Sequence, residues 1–321
     1  MFGNSDRCAS IETVQALIDQ GIDFIYDNQL PWGEIANYSF VSNSQLMKTY
    51  RSTVFPTALV LHSISFLDDS NRLNGIKQKA IEFIIQNKEE SYWRYFGIGS
   101  ELPLDLDTTS CCLSVLYELG VMNDLAVPEK LLGQRDEVTK LFRTWVGGSP
   151  ISENDFDAAV NANILWLFSL MHKSFLTKEV IDWLNRESHD LQTQNSQRWY
   201  FSPQIFSCFV SRAFAVDRAD ELQEARGSIV RYLRFVQDEN GGWGNTLETA
   251  FALVALMDCA AFGTCVERGI EYLMDRCDRD RGCWPMEILY PFGGDGSEEI
   301  TTAVCLEALQ KYKKHIATDL I

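Results

Sequence analysis

The chain has 321 residues, of which 28 are basic and 45 acidic, so its formal net charge is −17. A protein surface this acidic repels phosphate backbones and anionic lipid headgroups, which argues against nucleic acid as a partner. Hydrophobic residues make up 46% of the chain and aromatic residues 12%. This content is enough for a large packed core and excludes a mainly disordered chain.

The sequence carries no membrane-spanning or metal-binding signal. Its longest apolar runs, such as 250–257, are far shorter than the ~20 residues that a membrane span needs. The first ten residues contain no apolar stretch typical of a signal peptide, so we expect a cytoplasmic protein with reduced thiols. None of the four histidines is paired with another at helical spacing, and CxxC is absent. We therefore expect no metal site and no cofactor.

Two kinds of helix alternate along the chain. The first kind has apolar residues three or four apart with charges between them, as in 11–26, 73–86, 129–145, 178–191, 222–236 and 264–274. The second kind is short and apolar nearly all round, and its members begin near Thr57, Thr109, Ala162, Pro203, Thr249 and Thr302. A helix with one apolar stripe belongs on the outside of an assembly, and one that is apolar all round belongs inside.

The spacing of the second kind predicts the architecture. It is 52 residues from Thr57 to Thr109, 53 from Thr109 to Ala162 and 53 from Thr249 to Thr302. Six repeats of this length account for the whole chain, and 162–249 holds two shorter units. We predict an all-α protein with one domain over 1–321, an α/α6 barrel of six outer and six inner helices.

Each connection from an outer to an inner helix contains aromatic, glycine and acidic residues. The connections are 28–34, 90–107, 146–157, 196–203, 238–248 and 279–299. All six must lie on the same rim, at the N-terminal ends of the inner helices. Long loops on one face of a rigid scaffold commonly carry function.

Two units match a named repeat. Arg268 to Leu273 followed by Gly282-Cys283-Trp284 resembles the QW repeat of the terpene cyclase and protein prenyltransferase barrels, with Cys277 in place of the glutamine. Another unit keeps the glutamine, as Gln237 before Gly241 and Trp243, and a weaker copy has Gln29 and Trp32. The resemblance implies a helical barrel and says little about the reaction. We interpret Trp243 and Trp284 as structural braces.

A second motif suggests a reaction. Asp105-Leu106-Asp107-Thr108-Thr109 resembles the DxDDTA segment of class II terpene cyclases, which include squalene–hopene cyclases. In that family the middle aspartate, here Asp107, protonates an alkene or epoxide. Thr108 replaces the last aspartate, so one supporting group of the family is absent. A DxDTT variant on one small domain is similar to single-domain meroterpenoid cyclases. The implied substrate is a linear polyprenyl chain with a polar or aromatic head.

The chemistry that this resemblance implies makes specific demands on the two aspartates. Protonation of carbon needs an acid that is protonated at rest, and two carboxyls this close tend to retain one proton. Asp105 and the hydroxyl of Thr108 could hold Asp107 in position. The alternative interpretation is an N-cap, because Asp and Thr are preferred there whatever the protein does.

One repeat later, Asp155 and Asp157 stand at the equivalent point, and we interpret them mainly as a cap. Asn161 follows on the next inner helix. Its amide could donate to the aspartate pair or hold a water as the final base. An ordinary buried, hydrogen-bonded amide is the equal alternative.

A carbocation needs aromatic faces that stabilise it without trapping it. The candidate substrate-binding residues are the rim and inner-helix aromatics Trp32, Phe40, Trp93, Trp166, Phe206, Tyr290 and Phe292. Aromatic residues fill helical barrels routinely, so most aromatics of the rim and inner helices should be core. Class I chemistry is disfavoured because Asp68-Asp69-Ser70-Asn71-Arg72 breaks the DDxxD pattern.

Two other functions stay open at this point. Barrels of this architecture also host glycoside hydrolases and lyases, in which Asp107 with Asp157 or Glu298 would act as acid and base. A helical-repeat binding module without catalysis would leave Asp107 tolerant of substitution and the cavity filled. A hydrophobic substrate would favour loading from a bilayer, although no basic amphipathic helix indicates membrane contact. Nothing in the sequence predicts the oligomeric state.

Overall fold

Alternation of apolar and amphipathic helices produces two concentric layers. The computed structural model describes residues 10–43, 45–122, 126–147, 155–192, 197–200, 202–217, 220–290 and 294–319, without the side chains of 40–43, 45–47, 217, 220 and 319. The inner helices are α2 (Phe55–Ser65), α4 (Leu106–Glu118), α6 (Ala158–Leu170), α8 (Pro203–Asp217), α10 (Thr246–Asp258) and α12 (Glu298–Asp319). The outer helices are α1 (Ile11–Asn28), α3 (Asn71–Gln86), α5 (Val127–Leu132), α7 (Lys178–Glu187), α9 (Gln223–Phe235) and α11 (Thr264–Arg276).

The inner helices close into a ring. Each packs against the next in chain order, from α2 to α4, α6, α8, α10 and α12, and α12 packs back against α2. Their residues are buried nearly all round, whereas outer helices such as α1 and α11 bury one face only. The α/α barrel predicted from the sequence is confirmed. Among the described residues, no helix combines the length and apolarity that crossing a membrane requires.

The outer helix predicted over 129–145 is mostly absent. α5 ends at Leu132, and the residues after it form turns and isolated β-bridges. Asp136 accepts hydrogen bonds from the backbone nitrogens of Val138 and Thr139, at 3.1 and 2.9 Å, which offers this backbone an alternative to the helix. As a result, the irregular segment brings Trp145 into a bridge with Asp105.

A small sheet covers part of the rim, which the sequence analysis did not predict. Its strands are β1 (Tyr38–Asn43), β2 (Gln45–Tyr50), β3 (Glu287–Tyr290) and β4 (Asp295–Ser297), in the order β2-β1-β4-β3 with antiparallel pairing. Tyr38 pairs with both Tyr50 and Gly296. A side chain at Gly296 would lie 2.0 Å from the Glu287 carbonyl, so only glycine permits this pairing. The sheet therefore joins the first and last connections of the barrel.

Candidate active site

The N-terminus of α4 gives its two aspartates different environments. Asp105 is the N-cap residue, and its Oδ1 accepts a hydrogen bond from the backbone nitrogen of Thr108 at 2.6 Å. Asp107 lies in the first turn of the helix and makes no such cap. The capping interpretation of the motif thus applies to Asp105, and it leaves the carboxylate of Asp107 available for other partners.

Asp107 is held by two side chains from neighbouring elements. Nδ2 of Asn163 on α6 donates to its Oδ1 at 2.8 Å, and the hydroxyl of Tyr200 donates to its Oδ2 at 2.6 Å. The hydroxyl of Tyr290 on β3 lies 2.6 Å from that of Tyr200. All four side chains are buried. Because Tyr200 donates to Asp107, Tyr290 must donate to Tyr200, which gives a short chain of donors that ends at the carboxylate.

Burial keeps both carboxyls protonated over an unusual pH range. It raises the pKa of Asp105 to about 8, with a further contribution from the charge of Asp107. It also raises the pKa of Asp107, to about 6, although the hydrogen bonds from Tyr200 and Asn163 oppose the increase. Desolvation disfavours the charged form of a carboxyl, and donors favour it. The pair therefore retains a proton near neutral pH while the anion of Asp107 is the better stabilised of the two.

A cavity of about 310 Å3 lies in front of the two aspartates, and we call it the proximal cavity. Its size is within the range of small-molecule sites. Aromatic side chains form much of its wall, namely Tyr95, Phe96, Trp145, Trp199 and Tyr290. Arg51 is exposed and is the one cationic side chain among the described lining residues. Asp295 on β4 also lines the cavity and accepts a hydrogen bond from Ser39.

Some of the predicted site residues meet at this cavity. Asp105, Asp107, Thr108 and Tyr290 all line it. Asn161 does not, because its amide is bound to the backbone of another segment. Its Oδ1 accepts from Phe142 N at 3.0 Å, and its Nδ2 donates to Phe142 O at 2.8 Å and to Asp157 O at 2.9 Å. The amide that reaches Asp107 belongs to Asn163, two residues further along α6.

Trp93 has the same bonds as the two tryptophans interpreted as braces. Its Nε1 donates to Ile84 O at 2.7 Å, as Trp243 does to Leu233 O and Trp284 to Leu273 O, both at 2.7 Å. It is fully buried and does not line the proximal cavity. Trp93, a candidate substrate-binding residue of the sequence analysis, therefore lies in a brace position and away from the proximal cavity.

The other predicted aromatics lie elsewhere or outside the described part. Trp32 is 53% exposed and donates from Nε1 to Glu34, and it does not line the proximal cavity. Phe206 is buried in the hydrophobic core, and Trp166 lines a different cavity at the opposite end of the barrel. The side chain of Phe40 and the whole of Phe292 lie outside the described residues.

The carboxylates considered as partners of Asp107 in a sugar enzyme are engaged elsewhere. Asp157 caps α6 through Ala159 and Val160, and its Oδ2 accepts from the backbone nitrogens of Arg198 and Trp199. Glu298 forms a bidentate pair with Arg281, both distances being 2.7 Å. Neither is among the described residues that line the proximal cavity. No group of three or more potential metal ligands occurs in the described part of the chain.

Sequence reasoning did not assign Asn163, Tyr200 or Arg51 to the site. Asn163 had a detectable signal, because it is an amide in the otherwise apolar stretch ANILWLF of an inner helix. Tyr200 had only its place among the rim aromatics. Arg51 had no signal, since the hairpin that ends beside it was not predicted.

No protein-family model and no curated protein match the chain in sequence. Solved structures match it in fold. The type II terpene cyclase MstE from Scytonema has a TM-score of 0.73 at 16% identity, covering 95% of this chain and 99% of its own. A variant of MstE was solved with geranylgeranyl dihydroxybenzoate, described as its substrate. The ent-copalyl diphosphate synthase from Streptomyces platensis has a TM-score of 0.62 at 20% identity, over 80% of this chain and 50% of that one.

A third solved structure with a similar fold comes from another class of protein. A possible member of the GH105 family from Salmonella enterica has a TM-score of 0.62 at 10% identity, covering 98% of this chain and 97% of its own. The barrel is thus shared by proteins described as terpene cyclases and by one described as a possible glycoside hydrolase family member. Fold alone does not assign the reaction, and the residues of the proximal cavity must carry the argument.

Proposed function

We propose that this chain is a class II terpene cyclase, which starts the cyclisation of a linear polyprenyl chain by protonating its terminal alkene or epoxide. One observation carries the proposal: a buried carboxyl, Asp107, is released from helix capping, is held by Asn163 and Tyr200, and faces an aromatic cavity. The fold likeness to MstE and to ent-copalyl diphosphate synthase is consistent with it.

The geometry gives Asp107 the role of general acid. Each of its oxygens already accepts one hydrogen bond, from Asn163 or from Tyr200, so the proton occupies a remaining lone pair on the side of the cavity. When the proton passes to the CH carbon of the terminal double bond, the π electrons form the new C–H bond. A tertiary cation results at the carbon that carries the two methyl groups. The two donors and the dipole of α4 stabilise the aspartate anion that remains.

Asp105 is a positioning residue in this proposal. Its pKa of about 8 keeps it neutral at pH 7, so it does not oppose the formation of the Asp107 anion by a like charge. It also fixes the first turn of α4 by capping Thr108. This cap determines where Asp107 points, without contact between Asp105 and the reacting carbon.

The aromatic wall supports the next steps. The cation adds to successive double bonds, and ring faces within about 6 Å stabilise it by up to ~2 kcal/mol when desolvated. Tyr95, Tyr290 and Phe96 form a continuous aromatic group, with ring centroids 5.0 and 4.9 Å apart. Loss of a proton from the last cation restores the overall proton balance, so the product is an isomer of the substrate.

The head group of the substrate is proposed to face Arg51. Its guanidinium lies 4.0 Å from the ring centroid of Phe96, and the side chain is exposed beside the cavity. A carboxylate head, as in a prenylated hydroxybenzoic acid, would pair with this cation. The MstE variant bound to geranylgeranyl dihydroxybenzoate offers a precedent for such a substrate on this fold.

The sugar-enzyme alternative finds little support in the cavity. Its acid and base would have to face each other across a cleft, about 5–10 Å apart. Asp157 and Glu298, the partners considered for Asp107, are held by backbone nitrogens and by Arg281. A binding module without catalysis would not need a buried pair of carboxyls whose pKa values lie well above the ordinary range.

The test is a product assay in deuterated buffer. Purified protein receives linear isoprenoids that are free, diphosphorylated or attached to hydroxybenzoic acids, and the products are identified by mass spectrometry. We expect a cyclic isomer that carries one solvent deuteron. Asp107→Asn should lower the rate at least about 1,000-fold, because an amide cannot supply the proton.

Asp155→Asn is the matched control. It removes an exposed rim carboxylate at the equivalent point of the next repeat, where Asp155 pairs with Arg198. This variant should retain full activity. If Asp107→Asn also cyclises the substrate at the wild-type rate, the assignment of the acid is wrong. If the protein cyclises no isoprenoid but cleaves glycans, the sugar-enzyme reading replaces the proposal.

A further inference from the structure

A second cavity of about 490 Å3 lies where the inner helices end, and we call it the distal cavity. It shares no described lining residue with the proximal cavity. The C-terminal halves of the inner helices contribute its walls, including His62 on α2, Trp166 on α6 and Arg212 on α8. The proposed acid chemistry at Asp107 makes no use of this end of the barrel.

Arg212 is the unusual residue of this cavity. Its side chain is 3% exposed, and its Nε and Nη2 have no hydrogen-bond partner within the part of the chain that the structure describes. The guanidinium lies over two aromatic rings, 5.3 Å from the centroid of Trp166 and 5.0 Å from that of Phe209. A buried donor without a partner costs about 1–3 kcal/mol, and more when it is charged. A ligand that supplies an acceptor would recover this cost.

The acidic residues nearby are bound to a different cation. Lys311 on α12 lies 2.5 Å from Oδ1 of Asp258 and 2.9 Å from Oε1 of Glu307. Although burial raises the pKa of Glu307, the charges of Lys311, His62 and Arg212 together lower it to about 2. These carboxylates moderate the charge of Arg212 from a distance, but within the described residues none forms an ion pair with it. The guanidinium therefore keeps two donors without a described partner, on a residue that lines the cavity.

Other cationic side chains at this end of the barrel are oriented by the C-termini of helices, but Arg212 is not. The C-terminal ends of helices carry partial negative charge, which attracts cations. Lys314 follows this rule by donating to Phe66 O at 2.9 Å, and Arg226 by donating to Cys259 O at 2.8 Å. Arg212 donates to no described carbonyl through its Nε or Nη2. Its orientation is therefore not accounted for by helix capping.

Most of the accessible surface of the remaining cavity wall is apolar, although Glu118, Asp258, Lys311 and Lys314 also line the cavity. Phe66, Val216, Met257 and Phe262 line it together with the indole of Trp166. One more buried polar atom faces this environment: Nε2 of His62 has no described partner, while its Nδ1 lies 2.9 Å from Glu118. A ligand that fits must combine an apolar body with a small acceptor group that reaches Arg212.

We propose that the distal cavity is a second ligand site, which binds an amphipathic carboxylate with its head group on Arg212 and its hydrocarbon body against the apolar wall. A carboxylate matches the fork of a guanidinium with two parallel hydrogen bonds. The apolar wall selects molecules with a hydrocarbon body over small anions such as acetate.

Isothermal titration of the full-length protein with dodecanoate, below its micelle concentration, tests the proposal. We expect a binding event for dodecanoate that depends on Arg212. Dodecanol, which has the same body without the charge, should bind about 10- to 100-fold more weakly, the range expected for hydrogen bonds to a charged group. Arg212→Met should weaken dodecanoate by a similar factor and leave dodecanol unchanged.

Two controls separate this site from other sources of binding. Arg51→Met removes the cation of the proximal cavity, and Arg226→Met removes one near the same barrel end that does not line the distal cavity. Arg226→Met should bind dodecanoate as the wild type does, and Arg51→Met should retain the binding event that Arg212→Met loses. Loss of binding in Arg51→Met with retention in Arg212→Met would overturn the proposal, because the probe would then occupy the proximal cavity.

A second variant keeps the proposal testable if Arg212→Met does not fold. Ala215 is exposed at the cavity and on the same helix, so Ala215→Trp narrows the cavity while the side chain of Arg212 is kept. It should weaken dodecanoate and dodecanol alike. Equal affinity of the wild type for the acid and the alcohol, or no binding of either, would overturn the assignment of a carboxylate site.

Discussion

At the scale of single residues, the boundary of α4 separates two chemically identical side chains. Asp105 is the last residue before the helix and caps it, whereas Asp107, two positions later, is turned towards Asn163 and Tyr200. The two carboxyls share one environment of low polarity, but Asp107 is bound by side-chain donors from two neighbouring elements. This difference leads to two predictions that concern pH.

The first prediction is a falling activity profile above pH 6. The acid form of Asp107 is required, and its pKa of about 6 means that this form decreases tenfold per pH unit above that value. Tyr200→Phe removes a donor that lowers this pKa, so the falling limb should move to higher pH while kcat decreases about 10- to 100-fold. Rate profiles of both proteins between pH 4 and 9 provide the measurement.

Tyr95→Phe is the control for this profile. The hydroxyl of Tyr95 lies 3.4 Å from Asp295 rather than beside Asp107. Its removal should leave the limb in place. If the rate of Tyr200→Phe falls at the same pH as that of the wild type, or at a lower pH, the proposed stabilisation of the Asp107 anion is contradicted.

The second prediction concerns stability. The pKa of Asp107 is about 6 in the folded protein against 3.8 as its ordinary value, so the folded state binds more protons than the unfolded state between these pH values. The stabilisation of the folded state that proton binding at Asp107 contributes is therefore fully present below about pH 4 and is lost as pH rises through 6. Asp107→Asn should raise the free energy of unfolding at pH 8 by up to about 3 kcal/mol, with little effect at pH 3.5.

Urea unfolding of wild type and variant at both pH values measures this difference. Asp136→Asn is a control of opposite sign. Backbone and side-chain hydrogen bonds from Thr139 lower the pKa of Asp136 to about 2, so its stabilisation is present above the ordinary pKa and is lost in acid. An Asp107→Asn variant that is less stable than wild type at pH 8 would contradict the raised pKa of Asp107, because the buried anion would then cost the folded state nothing.

At the scale of elements, a repeated hydrogen bond joins several of the rim loops to their inner helices. The backbone nitrogen of Trp93 donates to Oγ1 of Thr109 at 2.9 Å, and that of Trp243 donates to Oγ1 of Thr249 at 2.9 Å. In the first repeat Ile35 N donates to Thr57 at 3.0 Å. These threonines are the residues whose spacing predicted the barrel, because each repeat needs an acceptor at this point.

The third repeat uses a different side chain for the same purpose. Phe142 N donates to Oδ1 of Asn161, which lies 52 residues after Thr109. This substitution explains why Asn161 is buried without contacting Asp107. The first repeat differs in another way. Ile35 lies six residues after Gln29, as Trp243 lies six residues after Gln237, so Ile35 and not Trp32 takes the brace position.

The glutamines of these loops have equivalent contacts. Gln29 donates to Gly33 O and Ile76 O, and Gln237 donates to Gly241 O and Cys265 O. Gly241 has a φ of 91°, and a side chain there would lie 2.6 Å from Arg268 O. Glycine is required because the loop packs directly on the backbone of the next outer helix.

The third prediction tests one of these braces. Trp243→Phe removes the donor to Leu233 O and leaves a buried carbonyl without its partner. The free energy of unfolding should decrease by about 2 kcal/mol, while kcat stays within about twofold of wild type because Trp243 does not line the proximal cavity. Denaturant unfolding and the product assay measure the two quantities.

Trp32→Phe serves as the comparison for Trp243→Phe. Trp32 is exposed and occupies no brace position, so its replacement should change stability by less than about 0.5 kcal/mol. Equal losses in the two variants would contradict the distinction between the first repeat and the fifth.

At the scale of the whole molecule, closure of the ring brings distant parts of the chain to one site. α12 packs on α2, and the sheet places Tyr290 and Asp295 beside residues of the first 110 positions. Asp295 accepts from Ser39, which is 256 positions away in the sequence. The proximal cavity therefore exists only when the last repeat has docked on the first.

The fourth prediction follows from this closure. We propose that residues 1–321 behave as one domain, so the chain should unfold in a single transition. Far-ultraviolet circular dichroism and tryptophan fluorescence should give coincident urea curves. Two separated transitions would instead indicate that part of the barrel folds independently of ring closure.

The sequence by itself determined the barrel and the position of Asp107, because both depend on local patterns. Apolar periodicity separates inner from outer helices, and a polar DxD pair before an apolar helix indicates where that helix begins. Tertiary structure alone decided which side chains meet Asp107. Asn163, Tyr200 and Tyr290 come from three different repeats, and their approach depends on ring closure and on a sheet whose strands are short and widely separated in the chain. The same reason hid Arg212, since a guanidinium on an inner helix becomes a ligand-binding group only when its neighbours leave its donors without partners.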